Sequence, residues 1–354
     1  MEDLGVTTFW QDRRVLVTGH TGFKGAWLAF WLSRRGARVT GLALPPDGAP
    51  NLFDQLGMAD LVDHRICDIR DAGALAAHVD DARPEIVFHL AAQSLVLDGY
   101  DDPLRTWQTN VMGTAHLLEA LRGLDDRCAA VMVTTDKVYE NPEDGRAFLE
   151  GDPLGGHDPY SASKAAMEIA VASWRRAFPG EGGLRIASAR AGNVVGGGDW
   201  ARNRIVPDIA RALAAGRPVE VRNAAAVRPW QHVLEPLAGY LALAETLWTT
   251  DAPEIASAFN FGPDPAEIRP VRDVVTEALR HWPGDWAETP DPDAPHEAGF
   301  LSLDPSKARR LLGVAPRWDF AETIARTVGW YRAVHEGADP ATETRAQISA
   351  FEAA

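Results

Sequence analysis

Short unbroken apolar runs alternate with longer amphipathic stretches through the first half of the chain. RRVLVTG (13–19) reads as a buried strand, and GAWLAFWLSRRG (25–36) as a helix stopped by Gly36. ARVTGLAL (37–44) predicts a second strand, and a third ends near Asp68 and Ile69 in CDIRD. EIVFHLAA (85–92) and AAVMVTT (129–135) predict two more, and RIASARAGNVVG (185–196) continues the sheet. The runs are continuous rather than alternating, as in strands covered on both faces. Helices are predicted over TNVMGTAHLLEALRG (109–123) and YSASKAAMEIAVASWRRAF (160–178). Strand–helix–strand repetition implies an α/β fold built on a Rossmann-type, doubly wound parallel sheet, with its ligand crevice at the carboxyl ends of the strands.

After Gly196 the rhythm breaks. GGGDWARNRIVPD, a proline-rich stretch at 283–295 and a short helix over IVPDIARALAAG (205–216) predict a smaller, mixed α/β C-terminal lobe. AFNFG (258–262) is expected to return to the sheet. Composition narrows the partners. A formal charge of −15, from 50 acidic and 35 basic residues, disfavours nonspecific binding to nucleic acid or anionic membrane. No run approaches the ~18 apolar residues of a membrane span, and the N-terminal stretch lacks the basic and apolar regions of a signal peptide. Cys67 and Cys128 are too few for a disulfide framework and too isolated for zinc, so no metal is expected and a cytoplasmic location is the default.

The first strand runs into Thr18-Gly19-His20-Thr21-Gly22-Phe23-Lys24-Gly25. Glycines at 19, 22 and 25 let the backbone turn tightly and approach a pyrophosphate seated on the helix N-terminus. The strand–loop–helix setting makes Gly19, His20, Gly22, Phe23, Lys24 and Gly25 candidate dinucleotide contacts. The acid expected for the ribose 2′-hydroxyl is missing after the second strand, and no arginine follows it, so NAD is favoured over NADP. Asp68 either receives the adenine edge, with Ile69, or is an ordinary solvent-facing carboxylate. The expected division is a dinucleotide-binding domain over 1–195, with returning segments around 229–262, and a substrate lobe from 196–228 and 263–354.

Tyr160 and Lys164 are four residues apart and share a helix face. An ammonium near a phenol lowers its pKa from ~10 toward neutrality, which fits the tyrosine to take a hydroxyl proton while hydride leaves the same carbon. The plain alternative is a tyrosine beside a solvated lysine.

With the glycine loop, these residues resemble the extended short-chain dehydrogenase/reductase family. TGHTGFKG (18–25), HLAAQ (89–93), TNVMGT (109–114), TTDKVYEN (134–141), DPYSASK (158–164) and ARAGNVVGGGDW (189–200) carry the likeness across most of the chain. RPWQHVLEPLAGY (228–240), NFGP (260–263) and PHEAGFLSLDPSKARRLLG (295–313) look like the branch that dehydrates CDP-glucose at C4–C6. The resemblance implies NAD contacts at Leu90, Ala91, Ala92 and Thr109 as well as Tyr160 and Lys164. It implies that Tyr160 is the base at the sugar C4 hydroxyl, tuned by Lys164, with Thr135 bonding the C4 oxygen. It also implies that Arg228 binds the nucleotide-sugar diphosphate, that Asn193 and His296 face the nucleotide, and that Arg204 lies in the base pocket. On the residues alone, the lesser alternative for Arg228 is a surface arginine packed on Trp230, whereas His296 reads equally as a structural histidine. A homodimer or homotetramer built on the 109–122 and 160–177 helices is implied too.

Dehydration needs an acid at O6 and a base at C5. Relatives carry Asp-Glu after the threonine, whereas this chain carries Asp136-Lys137. Asp136 is the candidate acid. Lys137 is either the C5 base, which requires its pKa to fall by ~3, about 4 kcal/mol, or a permanent ammonium that steadies the enolate. LVLDGY (95–100) departs from the family by placing Leu97 and Gly99 where Arg and Ser are usual. A 4-epimerase or another nucleotide-sugar dehydratase is the near alternative, and a catalytically silent dinucleotide sensor the distant one. The acid–base pair argues against the epimerase, and the retained Thr135, Tyr160 and Lys164 argue against the sensor.

Overall fold

A computed structural model describes residues 8–180, 183–290 and 299–354. Seven strands form one parallel sheet: β1 (Arg14–Thr18), β2 (Arg38–Ala43), β3 (Asp63–Ile66), β4 (Ile86–His89), β5 (Cys128–Val133), β6 (Leu184–Ala191) and β7 (Ala258–Phe261). Their spatial order is β7-β6-β5-β4-β1-β2-β3. Chain direction across the sheet reverses between β1 and β4, and parallel sheets open a ligand crevice at that point. Thr18 of β1 lies beside His89 of β4 at the crevice floor.

The pleat explains why the strand runs are apolar throughout. Val15, Val17, Phe88 and Val131 point to one face, while Leu16, Val87, Ala130 and Met132 point to the other. Helix α1 (Phe23–Arg34) covers the first face, and α2 (Ala72–Ala82), α3 (Gly113–Arg122) and α4 (Pro159–Ala177) lie on the second. Leu117, Leu118 and Leu121 of α3 meet Met167 and Val171 of α4 in that second core. From Gly25 to Leu32 helix α1 is buried on every side, as a helix apolar all round must be.

Further helices follow: α5 (Ile205–Ala214), α6 (Leu234–Thr249), α7 (Phe320–His335) and α8 (Pro340–Ala353). Helix α8 seats on α1 through Phe351, whose ring meets Trp31 edge-on at 5.9 Å. Trp31 also donates its indole N–H to Glu352, and Trp27 donates to the Gly197 carbonyl. The last helix thus closes over the first one of the sheet. Among the described residues no helix is long and apolar enough to cross a membrane.

The segment expected to form one helix over 109–123 is divided. Residues Gln108–Met112 form a π-turn, and regular α3 begins only at Gly113. A side chain at Gly113 would meet Ile69 at 2.5 Å, so glycine there lets α3 approach the end of β3. The run expected over 185–196 is also shorter: β6 stops at Ala191, and Val194–Val195 pair separately with Gln231–His232.

Candidate active site

The glycine loop is built for close approach. Gly19 sits at φ +77, and a Cβ there would lie 2.6 Å from the Ala91 amide nitrogen. A Cβ on Gly25 would run into the Gly19 carbonyl oxygen. Leu90 and Ala91 press against this loop because their amides donate to the Thr18 carbonyl and hydroxyl. Thr18 shares a further hydrogen bond of 2.7 Å with His89, whose other ring nitrogen reaches Thr114. Burial first, and Lys164 second, lower His89 to about 3, so it is a neutral brace. This cradle, without β-carbons at 19, 22 and 25 and set at the N-terminus of α1, fits a dinucleotide pyrophosphate. Ala92 is half-buried on the same crevice edge.

Two further candidates, His20 and Asp68, have their side chains committed to protein partners. The His20 ring leaves the crevice and packs over Gly41 and against Phe53, hydrogen-bonded to His64 at 2.7 Å. Burial, then His64, lower it to about 4, so its side chain props the loop from behind. Asp68 is held bidentate by Arg70, which keeps its carboxyl below the usual range, while Ile69 is buried beneath Gly113. Thr109 lies half-buried in the π-turn. That turn aims its neighbour Asn110 inward, where it bonds the Gln93 backbone and the Ser163 hydroxyl.

The structure brings Thr135, Asp136, Lys137, Tyr160 and Lys164 together. A short 3₁₀ turn at Asp136–Val138 follows β5, with Thr135 as its cap. Thr135 Oγ1 donates to Asp136 Oδ1 at 3.0 Å and is also hydrogen-bonded to the Tyr160 phenol. Lys137 Nζ lies 3.1 Å from the same Oδ1. Asp136 is fully buried, and its second oxygen, Oδ2, has no partner and faces Gly192. A buried carboxylate oxygen left unsatisfied is costly, and it marks where a ligand donor belongs.

The Tyr160–Lys164 pair lies on one helix, but the phenol is raised rather than lowered. Burial pushes the Tyr160 phenol up to about 12, opposed by its bond to Thr135 and by Arg204, and reinforced by Asp136. Lys164 turns its ammonium to the Val133 carbonyl at 3.1 Å. Burial lowers it to about 8, against the pull of Glu168, which leaves it charged at neutral pH.

Under this cluster lies a buried network that the sequence reading missed. Glu168, one turn after Lys164, accepts from Thr134 at 2.6 Å, Ser188 at 2.8 Å and Arg190 at 2.8 Å. Arg190 continues to the Tyr139 hydroxyl, which donates to Asn260. Burial favours the protonated Glu168, but Arg190 and the two hydroxyls outweigh it and lower the pKa. The sequence offered only an acid in one element and a base in another, with nothing to pair them.

On the substrate side, Arg204 reaches the cluster. It is ion-paired to Asp199 at 2.8 Å and lies within electrostatic range of Tyr160 and Lys24. Asn193 presents a buried Oδ1 with no partner, as does Gln93 with its Oε1. Arg228 is buried where 227–228 pair with 269–270, donates to its own chain at Val227, and is therefore no loose surface arginine. His296 lies outside the described residues. Gly99 packs against Tyr160, where a β-carbon would sit 3.3 Å from the Tyr160 amide, and Leu97 is half-buried beside it. Removing the cation of the buried pair gives a test: Arg190→Met should destabilise the fold by about 3–5 kcal/mol, read from urea denaturation. A loss under about 1 kcal/mol would mean that the pair is not the brace described here.

Comparison with known proteins agrees with this geometry. Residues 15–262 match the model of the NAD dependent epimerase/dehydratase family. The chain is 44% identical over 349 residues to the CDP-glucose 4,6-dehydratase of Salmonella typhimurium, covering 97% of each. It is 31% identical to a dTDP-glucose 4,6-dehydratase of Xanthomonas campestris, covering 89% of this chain and 92% of that one. Among solved structures, UDP-glucose 4-epimerase of Thermus thermophilus in complex with NAD superposes with a TM-score of 0.78 at 26% identity, covering 90% and 98%. The chain belongs to the NAD dependent epimerase/dehydratase family.

Proposed function

We propose that the protein is an NAD-dependent sugar-nucleotide 4,6-dehydratase that converts CDP-glucose to CDP-4-keto-6-deoxyglucose. The observation that carries this reading is the buried Asp136, set one hydrogen-bonded hydroxyl away from Tyr160 and ion-paired to Lys137. A 4-epimerase has no use for a second acid at that place. The likeness to the Salmonella dehydratase supports both the reaction and the nucleotide.

NAD, held at the Gly19–Gly25 cradle, supplies the hydride acceptor for C4 and the hydride donor for C6. Tyr160 takes the C4 hydroxyl proton, and its high pKa means that deprotonation waits for neighbouring positive charge and the Thr135 hydrogen bond. The chain Tyr160–Thr135–Asp136 offers that proton a path toward O6. The Asp136 carboxyl, which receives that proton at Oδ1 and keeps Oδ2 unpartnered, is the donor to the leaving hydroxyl. Lys137, bound to Oδ1, keeps its charge and steadies the enolate formed when C5 loses its proton. Arg204, Arg228 and His296, within a lobe of 196–228 and 263–354 whose last helix anchors on α1, are read with Asn193 as the nucleotide end.

Incubation with CDP-, UDP-, GDP- and dTDP-glucose should give the alkaline absorbance of a 4-keto-6-deoxy sugar, fastest with CDP-glucose. No product from any of the four contradicts the reading. The proposed assembly is a homodimer, because Leu104 (74% exposed), Trp107 (42%), Met112 (50%) and Ile169 (60%) leave an apolar surface on the helices around 103–112 and on α4. Sedimentation should give at least twice the mass of one chain, and Met112→Glu with Ile169→Glu should reduce it to one. A wild-type protein sedimenting as one chain would overturn the dimer.

A further inference from the structure

Three consecutive residues where β5 ends each take one residue of α4. The Val133 carbonyl accepts from the Lys164 ammonium at 3.1 Å. Thr134 donates its hydroxyl to Glu168 Oε1 at 2.6 Å. Thr135 is hydrogen-bonded to the Tyr160 phenol. Tyr160, Lys164 and Glu168 are spaced by four, so the strand end is tied to three successive turns on one face of α4. Of these links, only the Thr134–Glu168 bond joins two side chains with no part in the proposed chemistry.

Strand geometry explains the middle link. Side chains alternate between faces along β5, and Ala130 and Met132 point to the α4 side. Thr134 is next in that series, buried, and places a hydroxyl where the two before it place apolar groups. Its amide donates to the Ala189 carbonyl at 2.8 Å, which holds the backbone to β6 one residue past the end of β5. Glu168 is gripped from β6 by Ser188 and Arg190, so it is a fixed anchor and not a mobile acceptor. A hydroxyl bound to a carboxylate makes a shorter and stronger bond than one between neutral groups.

We propose that Thr134 is a positioning residue for the hydride step: its hydroxyl fixes the end of β5 against α4 and so sets the reach of Thr135 to the Tyr160 phenol. The inference rests on the dehydratase reading above and adds a residue which that reading does not use. Without the hydroxyl, Glu168 keeps Ser188 and Arg190, and α4 keeps its place on β6. The turn that begins at Thr135 then loses its tie to the helix. The Lys164–Val133 bond remains, but it runs through a flexible four-carbon stem and tolerates a shift. Misplacing a reacting group by about 1 Å can cost about 100-fold in rate.

Three variants separate alignment from mere stability. Thr134→Val keeps the shape and removes the hydroxyl, whereas Thr134→Ser keeps the hydroxyl and removes the methyl. Ser188→Ala takes the other hydroxyl from the same carboxylate, but from β6, and is the matched control. With CDP-glucose, Thr134→Val should lose about 10- to 100-fold in kcat while KM stays near the wild-type value. Its isotope effect with deuterium at C4 should rise, because hydride transfer becomes the slow step. Thr134→Ser should restore the wild-type rate and isotope effect. Ser188→Ala should keep both, even where it melts as early as Thr134→Val. An equal fall in kcat in Ser188→Ala would make the satisfied carboxylate the cause and overturn the proposal. Thr134→Ser as slow as Thr134→Val would place the effect in methyl packing and overturn it too. So would a Thr134→Val enzyme that melts earlier but turns over at the wild-type rate. If Thr134→Val does not fold, Thr134→Cys replaces it, with a weak S–H donor in a similar volume. An intermediate kcat with a raised isotope effect is then expected, and a wild-type kcat overturns the proposal. If wild type fails to dehydrate any nucleotide-glucose, the underlying reading fails with it; if wild type is active, only the inference is in question.

Discussion

The ion pair between Glu168 and Arg190 is the constraint on which the catalytic arrangement rests. Neither residue can be buried alone, since an uncompensated charge in this interior is far more costly than the pair is favourable. Each therefore dictates the position of the other. Glu168 fixes the rotation of α4, which carries Tyr160 and Lys164. Arg190 fixes the carboxyl end of β6, and the shared bonds to Thr134 and Tyr139 fix the turn that follows β5. Tyr139 stacks flat on Phe148 at 4.7 Å, which extends the same order into the loop beyond. Thr135, Tyr160 and Lys164 are held to one another by side chains buried beneath them.

Above that brace the site runs on a surplus of cations. Lys137 is paired with the buried Asp136; Lys24, Lys164 and Arg204 lie in the same crevice, and Asp199 is committed to Arg204. Such a field suits two ligands that each carry a diphosphate. It also makes proton positions uneven. The phenol of Tyr160 is held up by burial, and Lys24 is held down by burial and like charge. Groups pushed in opposite directions within one crevice can be assigned opposite duties.

The strands were legible because parallel strands buried on both faces leave apolar runs that no helix explains. The catalytic grouping was legible because Thr135, Asp136 and Lys137 end a strand and Tyr160 opens a helix, and the doubly wound order brings those ends together. What the sequence did not disclose depends on orientation. Helical spacing put Tyr160 and Lys164 on one face, but not the Lys164 ammonium on the Val133 carbonyl. The π-turn at Gln108–Met112 shifts the phase that would have hidden Asn110. The turn of the His20 ring into the core follows from the missing side chain at Gly41, two elements away. Nothing in the sequence pairs Arg190 with Glu168, and only the β5–β6 neighbourhood explains both.

All of this serves one claim, that hydride leaves C4 and re-enters the same sugar at C6 because water has been lost between. The most direct measurement uses CDP-glucose carrying deuterium at C4. The account predicts that the deuterium appears in the C6 methyl group of the 4-keto-6-deoxy product, without dilution by added unlabelled NAD. Deuterium retained at C4 of an epimerised sugar, or released to the cofactor pool, would contradict it.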